Sequence, residues 1–279
     1  MTIRIVTDSA CDLSDEELAE WGIGMVPLSI RFGDDEFVDR TELSTPDFYR
    51  RLASSEELPE TSAPAPGAFV AMFNQMASEG ATGVVCINLS EALSATIQSA
   101  RTAAKSDDVE IDVRVVNSKS VTGGLGSIVL AAASAARDGA SIDEIVALAE
   151  GMSGRTRVYA TLNTLEYLKK GGRIGGAQAA LGAVLSIKPL LDLSSGEVVA
   201  AGRQRTRRRS LEWVREQLVN AGDVENLAIL HSQADDMDDF LATLQDIPGV
   251  DKARVNVIGA VIGTHGGPGV IGITYQVHD

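Results

Sequence analysis

The sequence predicts an α/β protein of two domains, the first with a mainly parallel sheet covered by helices and the second a smaller mixed α/β domain. Three observations predict it. The 279 residues exceed what one hydrophobic core usually organises. In the first half, apolar β-branched runs at 84–88 and 113–117 alternate with helical stretches, the pattern of parallel strands buried on both faces. The composition changes near 151–157, which sets the expected domains at 1–155 and 156–279.

In chain order, residues 3–7 alternate as a short strand ending in Asp8 and Ser9. Ser14 with Glu17 has capping-box spacing and opens a helix over 15–21, which Gly22 can close. Residues 25–30 read as a second strand, and 32–39 as a hairpin rich in Asp and Gly. Thr45 before Pro46 is a helix start, N-cap then first helical position. Beyond the Pro-rich break 59–66, the pattern predicts helix 67–78, strand 84–88, helix 92–104 and strand 113–117. Helices over 123–136 and 141–152 follow, the second opened by another capping box, Ser141 with Glu144. The second half reads as strand 158–162, a helix after Asn163, a helix near 176–185 and a hairpin over 190–201. Helix 207–220, strand 227–231 and helix 236–245 come next. The chain closes with strands 255–262 and 270–277 around the turn Gly263-Thr264-His265-Gly266-Gly267-Pro268-Gly269.

Composition narrows the function. A net charge of −15 argues against a nucleic-acid partner, because duplex binding needs a basic face. The two cysteines, Cys11 and Cys86, lack metal-type spacing, and no metal site is expected. The first nine residues begin as a strand rather than a signal peptide, and no run of about twenty apolar residues occurs. The expected location is cytoplasmic.

Polar chemistry concentrates in a few motifs. His265 is one of only three histidines and lies in a glycine-dense turn that lets backbone approach a ligand closely; an ordinary solvated turn reads the same way. Thr61 and Ser62 precede a helix start, where hydroxyls and free N–H groups form an anion cradle; plain helix capping also accounts for them. Ser90, Ser94 and Thr96 follow one apolar strand, and Ser118 and Ser120 follow the next. Strand ends of a parallel sheet are where α/β folds bind ligands, so these hydroxyls favour a shared pocket. In Leu168-Lys169-Lys170-Gly171-Gly172-Arg173-Ile174, helix C-capping explains the lysines and glycines but not Arg173. The runs 121–136 and 174–187 carry no ionisable side chain. They fit either helices buried all round or the wall of a smooth apolar tunnel.

Together these motifs resemble the DegV family of bacterial fatty-acid-binding proteins along the entire chain. The resemblance rests on Thr7-Asp8-Ser9 with Asp12-Leu13, Val26-Pro27-Leu28, Thr61-Ser62-x-Pro64-x-Pro66-Gly67-x-Phe69 and Leu89-Ser90-x-x-Leu93-Ser94-x-Thr96-x-Gln98-Ser99-Ala100. It continues through Gly124-Leu125-Gly126, the 168–174 motif, Lys188-Pro189 and Gly263-Thr264-His265-x-Gly267-Pro268-Gly269. It implies a carrier that sequesters one long-chain fatty acid between its domains, uses no other cofactor, and presents the carboxylate to a fatty acid kinase, which makes an acyl-phosphate. By motif position, Thr61 or Ser62 and Ser94 donate to the carboxylate, with His265 and Arg173 at the same polar end. Leu28, Thr96, Gly126 and Ile174 are the expected tunnel-lining residues. Ala65, Ala95 and Asn117 depart from the family pattern, where serine, glycine and aspartate are frequent; the first makes the Thr61 cradle poorer, and the other two bear on pocket width.

A buried sixteen-carbon tail offers about 11 kcal/mol gross, at roughly 0.8 kcal/mol per methylene. The carboxylate opposes burial unless hydrogen-bonded. Arg203, Arg205, Arg207, Arg208 and Arg209 form a basic island on an acidic chain, read either as a solvated face balanced by nearby acids or as the docking surface for the kinase or for anionic lipid headgroups in transient membrane contact. An enzyme remains the alternative: a phosphoryl transferase or hydrolase using His265 with Asp8 as its partner.

Overall fold

The computed structural model describes residues 2–180 and 187–278. The first half runs β1 (Ile3–Asp8), α1 (Asp15–Trp21), β2 (Gly24–Val26), β3 (Ser29–Phe32), β4 (Asp35–Val38), α2 (Thr45–Ser54), β5 (Glu60–Ser62), α3 (Pro66–Ser78), β6 (Gly83–Asn88), α4 (Thr96–Ala103), β7 (Asp112–Asn117), α5 (Thr122–Arg137) and α6 (Ile142–Arg155). The second half runs β8 (Thr156–Thr161), α7 (Glu166–Lys170), β9 (Lys188–Asp192), β10 (Val199–Gln204), α8 (Arg207–Ala221), β11 (Val224–His231), α9 (Met237–Leu244), β12 (Arg254–Val257), α10 (Ala260–Gly266) and β13 (Ile271–Val277). Short 3₁₀ turns include Ser9–Cys11 and Gly175–Ala180.

Three sheets form. A parallel sheet has the order β2-β1-β6-β7, an antiparallel one β4-β3-β5, and a mixed one β10-β9-β8-β13-β11-β12, in which only β11 and β12 pair in parallel. Every residue of β6 is buried, as a strand covered on both faces requires. The sheet of the second half is the widest although it is built from fewer residues. The single strand predicted at 25–30 is divided between two sheets, β2 in the parallel one and β3 in the small antiparallel one. Pro27 lies at the break, where its missing N–H cannot continue a ladder.

Both capping boxes are present as predicted: Ser14 accepts from Glu17 N at 3.1 Å and Ser141 from Glu144 N at 3.3 Å, each with the returning carboxylate bond. The predicted helix 92–104 begins only at Thr96, because Ser94 Oγ accepts from Thr96 N and holds the preceding residues as a loop. Of the helix expected near 176–185, residues 176–180 belong to the 3₁₀ turn and 181–185 lie outside the described residues.

The closing segment departs most from expectation. Rather than a hairpin, β12 and β13 flank β11 on opposite sides, and the glycine-rich motif between them supplies α10, with His265 in its last turn. Gly263 is needed there for close approach: a Cβ would lie 2.7 Å from Tyr49 Oη and 2.9 Å from Phe48. Although α10 follows a strand of the second half, it packs on α2 and β3 of the first. Tyr49 Oη donates to Ile258 O at 2.8 Å, and Gly259 N donates to Asp12 Oδ1 at 3.1 Å, fixing the start of α10. The uncharged run 121–136 forms α5, which also spans both halves: Gly123 packs on Ala228 and Leu230, and Gly126 on Cys11 and Leu13. Among the described residues no helix is long and apolar enough to cross a membrane.

Candidate functional site

A cavity of about 890 Å³, its open mouth included, lies where α5, α10 and the loop after β6 meet the mixed sheet. The first half lines it with Leu28, Leu89, Leu93 and Val121, and the second with Val158, Ala160, Leu162, Leu191, Val198 and Leu230. Tyr159 also borders it, but its ring turns to the other face of the sheet, 5.8 Å from Trp213. Among the described lining residues, polar side chains are then confined to Thr61, Ser94, Thr122, Arg173 and His265.

Four of these belong to one cluster brought together from four elements. Thr61 comes from β5 and bonds His265 of α10, Oγ1 to Nε2 at 2.9 Å. Arg173, in the turn after α7, donates through Nε to Leu93 O at 3.1 Å and through Nη1 to Gly171 O at 2.8 Å, which holds its guanidinium against the loop that carries Ser94. Gly171 is required because a Cβ would sit 2.3 Å from His265 Nδ1. The second glycine of the turn, Gly172, takes φ +69°, as the C-capping pattern predicts.

The electrostatics assign different roles to the two basic groups. Burial, reinforced by the Arg173 charge, lowers the His265 pKa from 6.5 to about 4, so the imidazole is neutral at pH 7. The sequence left charge to either residue; in the ligand-free site Arg173 alone carries it. His265 Nδ1 is buried without a partner. A bare acceptor nitrogen is tolerated there more readily than an orphaned N–H, which assigns the proton to Nε2. Nε2–H then donates to Thr61 Oγ1, leaving the Thr61 hydroxyl proton free to donate into the cavity.

The remaining expected residues divide. Leu28 lines the cavity. Ser62 does not: it is exposed, because adjacent strand residues face opposite ways and β5 turns Thr61 inward. Thr96 is fully buried behind the wall and bonds Ser94, hydroxyl to hydroxyl at 2.9 Å, so it orients that residue rather than lining the tunnel. Gly126 is occupied by the packing of α5 on the Ser9–Cys11 turn, where a Cβ would lie 2.8 Å from Cys11 O. Ile174 is buried among wall residues Leu162, Leu168 and Val198 without bordering the cavity itself.

Asp8 is not bonded to His265. It is buried at the end of β1, accepts from Ala10 N, Asn88 Nδ2 and Leu89 N, and is raised to about 6, chiefly by desolvation. Its bonds tie the ends of β1 and β6 together. In the arginine island, Arg207 forms a two-point pair with Asp236 at 2.7 and 2.9 Å, and Arg208 and Arg209 share Glu212. Arg203 and Arg205 are exposed. Sequence reading did not single out Thr122 or Tyr49, and it noted Asp12 only as part of a family motif, not as an anchor. The anchors join residues more than 200 positions apart, and no local pattern signals such a contact.

A family model described as "Uncharacterised protein, DegV family" matches residues 2–278. The chain belongs to the DegV family. Among DegV relatives, a DegV domain-containing protein of Streptomyces coelicolor is 36% identical over 275 residues, covering 97% of each chain, and one of Deinococcus radiodurans is 37% identical, covering 99% of each. Among solved DegV structures, the fatty-acid-binding DegV family protein of Thermus thermophilus superposes with TM-score 0.90 at 33% identity, over all of both chains. DegV of Bacillus subtilis, described as a fatty acid binding protein, superposes with TM-score 0.85 at 29% identity, again over all of both.

Proposed function

We propose that this DegV protein is a carrier that holds one long-chain fatty acid between domains 1–155 and 156–279. The acyl tail occupies the apolar cavity, and the carboxylate lies among Thr61, Ser94, Arg173 and His265. One observation carries the reading: four polar side chains from four separate elements converge on a cavity whose wall is otherwise almost wholly aliphatic. The fatty-acid binding described for the Thermus and Bacillus relatives supports it. Arg173 supplies the charge that an ionised carboxylate needs on leaving water, while Thr61 and Ser94 supply neutral donors, each oriented by a neighbour that holds its oxygen. Ser62 has no part in this arrangement.

The carrier presents the carboxylate to a fatty acid kinase for phosphorylation, and the exposed Arg203 and Arg205 serve as the docking surface for the kinase or for anionic headgroups. Arg207, committed to Asp236, shapes that surface from beneath. Mass spectrometry of lipid extracted from purified protein tests the carrier reading: one fatty acid per chain supports it. No lipid, together with turnover of a small substrate lost in His265→Gln, would establish the enzyme alternative instead. Reversing Arg203 and Arg205 to Glu should lower acyl-phosphate formation by an added kinase while fatty-acid retention stays intact; equal turnover would remove the docking role.

A further inference from the structure

One polar side chain in the wall is unused by the carboxylate site. Thr122 opens α5, is 2% exposed, and borders the cavity, yet its Oγ1 has no hydrogen-bond partner. Other buried hydroxyls in helices find one: Ser127 donates to Gly123 O at 2.8 Å and Thr264 to Ala260 O at 2.9 Å, each one turn back. At the first position of its helix Thr122 has no preceding helical carbonyl to take. It also holds φ +50°, a conformation that β-branched residues rarely adopt. A valine would fill the same volume without leaving a hydroxyl unsatisfied.

We propose that Thr122 is a second polar contact for the ligand, fitting the cavity to acyl chains that carry a neutral oxygen substituent, a hydroxyl or an oxo group, along the chain. The inference rests on the carrier reading above. A threonine hydroxyl both donates and accepts, so it serves either substituent. Whichever γ atom faces inward at rest, one staggered χ1 step exchanges hydroxyl for methyl. The first turn of α5 has no capping side chain, which favours an oxygen acceptor at the same end. A second carboxylate is excluded by charge: among the described residues the wall has no cation besides Arg173, which belongs to the head cluster, and the run 121–136 has no ionisable side chain. Thr122 thereby sets which fatty acids the site selects, whereas Thr61, Ser94, Arg173 and His265 grip the carboxylate that all of them share.

The test is a fluorescence-displacement titration of the delipidated full chain with stearic acid and with 10-hydroxystearic, 12-hydroxystearic and 10-oxostearic acids. Wild type is compared with Thr122→Val, which keeps the shape, and with Thr122→Ala, which relieves the crowding at positive φ. Both substitutions should lower the affinity ratio of at least one oxygenated acid to stearic acid by about threefold to tenfold, with stearic-acid affinity changed by less than about twofold. Thr122→Ser, which retains the hydroxyl, should keep the wild-type ratio. Ratios unchanged in both Val and Ala variants would overturn the contact while leaving the carrier reading in place. Failure of wild type to bind stearic acid or any oxygenated acid would overturn both.

Discussion

Acidification isolates the neutral state assigned to His265. Its pKa falls from 6.5 to about 4 because the ring is buried beside Arg173. The unfolded chain therefore takes up this proton first: the stability contributed by the neutral ring is complete above pH 6.5 and is lost as pH falls toward 4. A shift of 2.5 units at 1.36 kcal/mol each corresponds to about 3 kcal/mol once the loss is complete. Asp8 and Asp39 act in the opposite sense. Both are raised from 3.8 to about 6 by burial, so the folded state protonates first and gains stability as pH falls from 6 to 3.8. A melting curve of wild type alone mixes these contributions. The difference between wild type and His265→Gln does not, and from pH 7.5 to 4.5 wild type should lose about 2–3 kcal/mol more than the variant. NMR of the three imidazoles reads the same quantity directly: in the delipidated protein one of them titrates near pH 4, and adding a fatty acid raises it through the adjacent negative charge. An assigned His265 signal titrating near 6.5 without ligand would refute the desolvation argument.

Three further outcomes follow from the geometry. Ser94→Ala should weaken fatty-acid binding about tenfold to a hundredfold, since a bond to a charged group is worth about 1.5–3 kcal/mol, while thermal unfolding shifts the stability by under about 1 kcal/mol; unchanged affinity in a fluorescent titration would remove it from the site. Gly171→Ala places a methyl 2.3 Å from His265 Nδ1 and should break the Thr61 bond, lowering affinity about tenfold and returning the imidazole pKa toward 6.5, both measurable on one sample. Tyr49→Phe leaves the Ile258 carbonyl unpaired and should cost about 1–3 kcal/mol in denaturant unfolding, with affinity also reduced because α10 carries His265.

Short-range signals in the chain were reliable guides. Ser14 with Glu17 placed one helix start to the residue and Ser141 with Glu144 placed another to within one, because a capping box is satisfied within four positions. The β-branched runs before Ser90 and Ser118 marked two parallel strands, but only the first, β6, is central and buried on both faces; β7 is an edge strand whose Asp112 and Arg114 face solvent. Arg173 stood out as a group that capping did not explain, while Thr61, Ser94 and His265, each with an ordinary local reading as well, were set beside it by the family resemblance; all four border the same cavity. The sequence reads 59–66 only as a Pro-rich break, which left Thr61 and Ser62 equivalent; the pairing of Ser29 with Ser62 and Ile30 with Thr61 makes β5 a strand and turns the two apart.

The sequence by itself determined the α/β class, most element starts and the polar residues available to a site, since each depends on neighbours a few positions away. Tertiary structure alone decided that the His265 motif ends a helix instead of turning a hairpin, because Phe48 and Tyr49, more than 200 residues earlier, pack where Gly263 leaves space. It also decided that His265 is neutral and that Thr122 has no partner. Desolvation and hydrogen bonding at a buried atom are set by everything packed around it, and nearly all of that comes from elsewhere in the chain.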